Sequence, residues 1–421
     1  MRKRKEKPLG KRIFGWLHLW LGMVAGIIVV ISMLGATIFV WEENLTNWWY
    51  TDMVYTDGVY TEEELLPVSE VFGAVQEAYP DKSFTFSRIY REASRNYVFS
   101  TFKRAEEPGL SWASGIEYYL QVYVNPYTGQ VAGQIDKKRD WITLSRYLHQ
   151  NLLLKHDIGG QIVGAAALIM IFLALSGLYL WWPRNKAMLK RRLKIKWNGR
   201  FKRVNWDVHS VGGFYTYLLL ILFAATGLVW SYGWWSDGLY RLFGSDPEQV
   251  FERPDPPELS GADQTYAINL AFEDAKMKQP NWYKMSFSIP RADSEKGVIS
   301  ARMNYKHENS WWETTDQYRY HPETGEVVHT FTHNEKQLGE KWRNSNYAIH
   351  VGSIYGTPTK IIASLCALFF ATLPISGFLI WFQRRKKKKR KWAENYIVRS
   401  KAIVQDTSVA VGAMTASKRV E

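Results

Sequence analysis

Four stretches of this chain stay apolar for long enough to cross a bilayer, and that governs every other reading of it. A hydrocarbon core takes about 20 apolar residues as a helix. In lipid every backbone N–H and C=O must be satisfied within the segment, so such stretches fold as helices. The predicted spans are 13–43, 151–182, 208–234 and 351–383. The first is too long in its apolar part for a secretory leader and shows no small-residue cleavage site. Trp41, Trp181, Trp182, Trp230 and Trp381 stand at span ends, where indole rings favour the membrane–water interface. The expected class is a membrane α-helical protein with four spans.

The 421 residues carry a formal net charge of +14, unevenly spread. Seven of the first twelve residues are Lys or Arg, segment 183–208 holds ten more, and 384–391 reads RRKKKKRK. Basic runs suit nucleic acid or anionic lipid, but each of these abuts a span, so the bilayer is the expected partner and nucleic acid is not. Positive residues stay on the cytoplasmic side. That places 1–12, 183–207 and the tail 384–421 inside, and 44–150 and 235–350 outside. The tail past Glu394 shows no pattern and is expected to be disordered. The lone Cys366 leaves no disulfide framework and no Cys-based zinc or iron–sulfur site. No nucleophile elbow, phosphate loop, HExxH or dinucleotide fingerprint appears, so serine- or metalloprotease chemistry, nucleotide hydrolysis and direct NAD binding find no support.

The chain repeats itself. VYVNPYTGQV at 122–131 matches YRYHPETGEV at 318–327, each a strand, a Pro/Gly turn and a second strand. A helical stretch precedes each, at 68–78 and 266–277. Each outer region is therefore expected to be a small α+β domain. The spans repeat too: LSGLYLWW (175–182) matches PISGFLIWF (374–382), and WLHLWLGM matches DVHSVGGF. Two copies of span, outer domain, span predict a pseudo-two-fold axis along the membrane normal.

The repeat doubles two histidine positions. His18 lies six residues after Arg12, and His209 six after Arg203, which sets both at one depth on the cytoplasmic side. His149 lies 27 residues before Ser176, and His350 26 before Ser376, which makes them equivalent on the outer side. Histidine is costly in hydrocarbon and tends to be functional there. A single one would be read as interfacial. Four in register point to two pairs, and haem iron takes two axial imidazoles from facing helices. Zinc would want more ligands, with carboxylates or thiolates. Gly15, Gly22, Gly26, Gly212, Gly213, Gly352 and Gly356 would leave room for a flat ring, or simply let helices pack. His156 follows His149 by seven residues and would share its face on one helix. His149 is favoured as outer ligand, with His156 as an alternative or a residue near a propionate. Propionates call for cations, and Arg146 with Tyr147 outside, and Lys11, Arg12 and Arg203 inside, are nearest in sequence. Two haem b groups would make the chain an electron carrier across the membrane.

The motifs GWLHLWLGM, RYLHQNLLL, SGLYLWWPR, DVHSVGG and AIHVGSIYG, with the NPYTGQV and HPETGEV turns, resemble the PepSY-associated transmembrane family over roughly residues 10–390. The two turns look like those of PepSY domains. The resemblance implies a bacterial inner-membrane protein of iron acquisition, similar to di-haem reductases of ferric siderophores, with His18, His209, His149 and His350 as haem-iron ligands. Gln150 departs from the LHRSL form common in the family, which bears on propionate contacts. Some relatives carry a fused flavin-reductase domain. None is expected after residue 394, so the donor would be a cytoplasmic flavoprotein or quinol.

Two other classes compete. A PepSY-type regulatory or protease-modulating membrane protein would hold no haem, and a siderophore transporter would show intramembrane charges, which are few here. The outer His307, His321, His329 and His333 offer a metal site only if they gather. His329 and His333 alternate with Phe331 and would share a strand face. Glu42 and Glu43 end the first span as plain interface residues.

Overall fold

The computed structural model describes residues 8–183, 185–250, 254–291, 293–306 and 313–417. Four of its helices are long and apolar enough to cross a membrane: span 1 (Leu9–Phe39), span 2 (His156–Trp181), span 3 (Phe201–Ser231) and span 4 (Thr357–Lys386). Span 1 shows how the sequence sets them. Val24, Ile27, Ile31 and Leu34 recur at helical spacing and are exposed, as a lipid-facing stripe is. Ala25, Gly26, Val29 and Ser32 lie on the other side and are buried.

The chain divides into two compact units. The first comprises residues 1–26, 175–217 and 372–421. Here span 1 meets span 4 at Gly26, where a Cβ would lie 2.7 Å from Pro374 Cβ, so only glycine permits the approach. Trp181 stacks on Phe214 with ring centres 3.7 Å apart. Span 4 continues as helix through Ser417, where the sequence alone suggests disorder. Past Phe382 the segment has no proline and a single glycine, Gly412, so nothing local breaks the helix.

The second unit, 27–174 and 218–371, holds an eight-stranded antiparallel sheet ordered β4-β3-β2-β1-β5-β6-β7-β8. The strands are β1 (Phe86–Tyr90), β2 (Tyr97–Arg104), β3 (Ile116–Val124), β4 (Val131–Asp136), β5 (Trp282–Ser288), β6 (Ile299–Lys306), β7 (Glu313–Tyr320) and β8 (Val327–Phe331). The NPYTG turn joins β3 to β4 and the HPETG turn joins β7 to β8. Each places its glycine at positive φ, Gly129 at 71° and Gly325 at 74°, where a side chain would be strained.

The two outer regions are not separate domains, as the sequence suggests. Strands β1 and β5 pair from Phe86↔Ser288 to Tyr90↔Lys284 and fuse them into one sheet. Helices Val68–Ala78 and Thr265–Lys278 cover one face, and one core serves both halves. Val68, Val71, Phe72 and Val75 recur at i, i+3, i+4, i+7 and are buried there. Val71 and Val75 are fully buried, each worth about 1.5–3 kcal/mol over exposure. The second helix turns Ala267, Ile268, Ala271, Phe272 and Ala275 onto the same core.

A helix precedes each of spans 2 and 4: Trp141–Asn151 and Leu338–His350. The first does not run on into span 2. Leu152 and Leu153 take left-handed conformations, φ 57° and 58°, at a cost of about 1–2 kcal/mol each. Backbone bonds hold the break: Trp112 N–H donates to Leu153 O at 2.7 Å, and Lys155 N–H to Leu110 O at 2.9 Å. The second link reverses at Gly352, φ 74°.

Candidate functional site: two histidine pairs

In the first unit, span 1 carries His18 and span 3 carries His209, their ring centres 6.4 Å apart and planes at 83°. Each ring is tied to a serine on another span. His18 Nδ1 lies 2.9 Å from Ser176 Oγ, and His209 Nδ1 lies 2.8 Å from Ser376 Oγ. The next residue is glycine in both cases. A Cβ on Gly177 would come within 3.2 Å of His18 Cε1, and one on Gly377 within 3.4 Å of His209 Cε1. His209 sits in a π-helical turn, Val208–Gly212, which inserts a residue and re-aims the ring relative to a regular helix.

In the second unit, His149 and His350 have ring centres 5.9 Å apart and planes at 34°. His149 Nδ1 lies 2.9 Å from Ser32 Oγ on span 1, and His350 Nδ1 lies 3.0 Å from Thr226 Oγ1 on span 3. Glycine again admits the partner. A Cβ on Gly35 would fall 2.5 Å from Ser145 O and 2.9 Å from His149 N, and one on Gly227 would fall 2.9 Å from His350 Cε1. Trp230 lies 5.3 Å from the His350 ring, and the Arg343 guanidinium lies 5.3 Å from the Trp230 ring.

The helix bearing His149 is anchored at its start. Asp140 caps it, accepting from Thr143 N–H at 3.0 Å, and pairs with the buried Lys137 at 2.8 Å. Burial works to raise the Asp140 carboxyl. The Lys137 ammonium and Thr143 override it and hold the group below the usual carboxylate value.

Three of the hydroxyls fix the protonation of their rings. Ser376 Oγ donates to Leu373 O at 2.9 Å, Ser32 Oγ to His149 O at 2.8 Å, and Thr226 Oγ1 to Leu222 O at 2.8 Å. With its single proton committed, each hydroxyl can only accept, so Nδ1 carries the hydrogen. Nε2 is then left with its lone pair, the form in which imidazole binds a metal. The spacing also fits. Metal–imidazole bonds run about 2.0–2.1 Å, and a ring centre lies about 1.1 Å behind its nitrogen, so two rings trans on one ion stand roughly 6.3 Å apart. The pairs stand at 6.4 and 5.9 Å. Among the described residues no group of three or more His, Cys, Asp or Glu is placed to hold a metal ion. A pair suits a metal that brings its own equatorial ligands, as haem iron does.

The other predicted residues fall out differently. His156 opens span 2 beyond the left-handed break, exposed, and no longer shares a helix with His149. Arg146 lies one turn before His149, stacked over Phe39 at 5.5 Å and Tyr147 at 5.8 Å. Its Nε is buried without a hydrogen-bond partner among the described residues, a donor left unused. Arg12 is exposed in the first turn of span 1. Arg203 is engaged by Asp207 at 2.7 Å. Lys11 lies over the Tyr179 ring at 5.7 Å. His307 lies outside the described residues. Strand β8 ends at Phe331, so His329 and His333 do not share a strand face. Thr332 closes a turn there, its N–H donating to Glu335 at 2.7 Å.

Sequence reasoning missed the hydroxyls Ser176, Ser376, Ser32 and Thr226, and the glycines Gly177, Gly377, Gly227 and Gly35. The signal was present as the repeated pairs Ser176-Gly177, Ser376-Gly377 and Thr226-Gly227, of which the first two mark the repeat only as landmarks. Of the glycines singled out in the sequence, Gly15 and Gly26 face Leu180 and Pro374.

A family model described as PepSY-associated TM region matches residues 15–384. Comparison with curated proteins returns no match.

Proposed function

The chain belongs to the family of the PepSY-associated TM region, and on that premise we propose that it is a di-haem b electron-transfer protein of the bacterial inner membrane. Its role is reduction of a ferric chelate, a ferric siderophore above all, in iron acquisition. The observation that carries this is the geometry of the histidine pairs. Each pair has the separation of two imidazoles on one ion, and three of the four rings are locked with Nε2 free.

Haem, when bound, supplies reversible one-electron chemistry at each pair. The chain's residues do the rest. His18 and His209 hold one group, and His149 and His350 the other. The Ser376, Ser32 and Thr226 oxygens accept from Nδ1–H, which orients those rings and makes Nε2 a stronger donor, and Ser176 holds the His18 ring by the same contact. Arg146 offers its buried Nε to a propionate, and Arg12 stands ready as a second cation at the surface.

The basic ends face the cytoplasm and the sheet faces the periplasm, as the positive-inside rule expects. Electrons come from a cytoplasmic flavoprotein or from quinol. The palindromic strand order supports reading the chain as two span–domain–span repeats. Because Ile89 and Phe287 turn into the core, the alternate positions Arg88, Lys284, Arg302 and Arg319 lie on the opposite face of the sheet. Glu313 shares that face and pairs with Lys284 at 3.5 Å, and the excess of cations over it would suit an anionic ferric chelate. Reduction to Fe²⁺ lowers charge and hardness and weakens the hold of oxygen ligands.

The test is a reduced-minus-oxidised absorbance spectrum with haem quantified per chain, repeated on H18A and H350A. Two b-type haems, one lost in each variant, are expected. A protein that stays colourless after reconstitution with haem overturns the proposal and favours the regulatory class.

A further inference from the structure

The first unit contains a cavity that the histidine pairs do not use. It measures about 420 Å³ and is lined by Arg200, Lys202, Arg203, Trp206, Ile380, Gln383 and Arg384. It lies where the start of span 3 meets the end of the apolar part of span 4. Asn205 Nδ2–H donates to Ser376 O at 3.2 Å and ties the two helices there.

Four of its seven lining residues are cations. Asp207 answers one of them, Arg203, at 2.7 Å. Arg384 lies 4.7 Å over the Trp206 ring, a cation–π contact between two lining residues. Trp206 and Ile380 give the cavity an apolar wall. Gln383 Oε1 is buried with no hydrogen-bond partner among the described residues, an acceptor awaiting a donor. The site therefore asks for one occupant with three properties: an anion for the guanidinium groups, a hydroxyl for Gln383, and an apolar portion for the wall.

We propose that this cavity binds the headgroup of an anionic glycerophospholipid of the phosphatidylglycerol type. Guanidinium forks match phosphate oxygens in pairs, more closely than an ammonium does. The headgroup hydroxyl donates to Gln383 Oε1. The acyl chains follow Ile380 along span 4. Basic pockets between membrane helices on the cytoplasmic side hold anionic headgroups in this manner. A phosphatidylcholine headgroup brings a quaternary ammonium against the three remaining cations and has no hydroxyl to donate to Gln383, and free phosphate leaves the apolar wall unanswered. The proposal does not depend on haem.

The full chain is placed in nanodiscs of phosphatidylcholine or of phosphatidylcholine mixed with phosphatidylglycerol, then released for native mass spectrometry. Wild type is expected to retain phosphatidylglycerol in preference to phosphatidylcholine. R200Q/K202Q/R384Q is expected to lose that retention by about a hundred-fold, from roughly five-fold per cation near a charged bilayer. K186Q/K190Q/R191Q, which removes exposed cations outside the cavity, is expected to keep it. R384Q alone, expected to cost about five-fold, decides the matter if the triple variant fails to fold by circular dichroism. Equal retention by the cavity variants overturns the proposal, as does equal retention of the two lipids. Displacement by millimolar inorganic phosphate would assign the site to free phosphate instead and overturn it equally.

Discussion

Each of the four histidines reaches a hydroxyl on another helix, and at His209, His149 and His350 that contact does three jobs. It sets the tautomer, fixes the ring plane and satisfies a polar atom that lipid would not. Ser176 is therefore a positioning partner of His18. If the proposed function holds, haem at the His18–His209 pair of S176A should dissociate about 10–100-fold more readily, the range found for partners that orient metal ligands. S176T restores a hydroxyl and should restore retention. Transfer of haem to apomyoglobin, followed by absorbance, measures this. Equal dissociation from S176A and wild type would show that the serine is only a packing residue. The histidines could be found in the sequence because they are rare in spans. The serines could not, since a span serine is commonplace and only its partner distinguishes it.

Elements aim these side chains. The Trp141–Asn151 helix lies against span 1 because Gly35 has no side chain: a Cβ there would meet Ser145 O at 2.5 Å. G35A should push that helix off span 1, lengthen the Ser32–His149 contact and empty the outer pair. The inner pair should be spared. The expected readout is one haem per chain with a cost of about 1–3 kcal/mol in stability, as overpacking typically gives. Two haems retained in G35A would count against the outer assignment. The left-handed pair Leu152 and Leu153 is the element-scale surprise. Nothing local predicts two leucines at positive φ. Tertiary backbone bonds from Trp112 and to Leu110 override the preference. They split what reads as one continuous helix and part His156 from His149. The π-turn at His209 is hidden for the same reason, because a one-residue insertion leaves hydrophobic periodicity nearly unchanged.

At the scale of the molecule, the seam between β1 and β5 makes the outer halves one body. Ser286 sits inside β5, paired with Arg88 on one side and Arg302 on the other. Proline there removes a ladder N–H and is not accommodated in a central strand, at a cost of about 1–3 kcal/mol for the acceptor left unsatisfied. S286P should lower the melting temperature of both halves in a single transition. Tryptophan fluorescence and calorimetry would follow it. Two transitions, with only the second half destabilised, would mean that the halves fold independently.

The sequence by itself determined the spans, the basic flanks, the internal repeat and the four histidines. These follow from hydrocarbon thickness and from the cost of polar groups in it, which act on composition regardless of what the segment touches. Only the tertiary structure decided that His149 and not His156 meets His350, which hydroxyls hold the four rings, which glycines give them room, and that the two strand–turn–strand segments share one sheet. Those outcomes depend on contacts between residues far apart in the chain, such as Ser32 with His149 or Phe86 with Ser288. Local pattern carries no record of such a contact, because the free energy that selects it belongs to the pair and not to either segment.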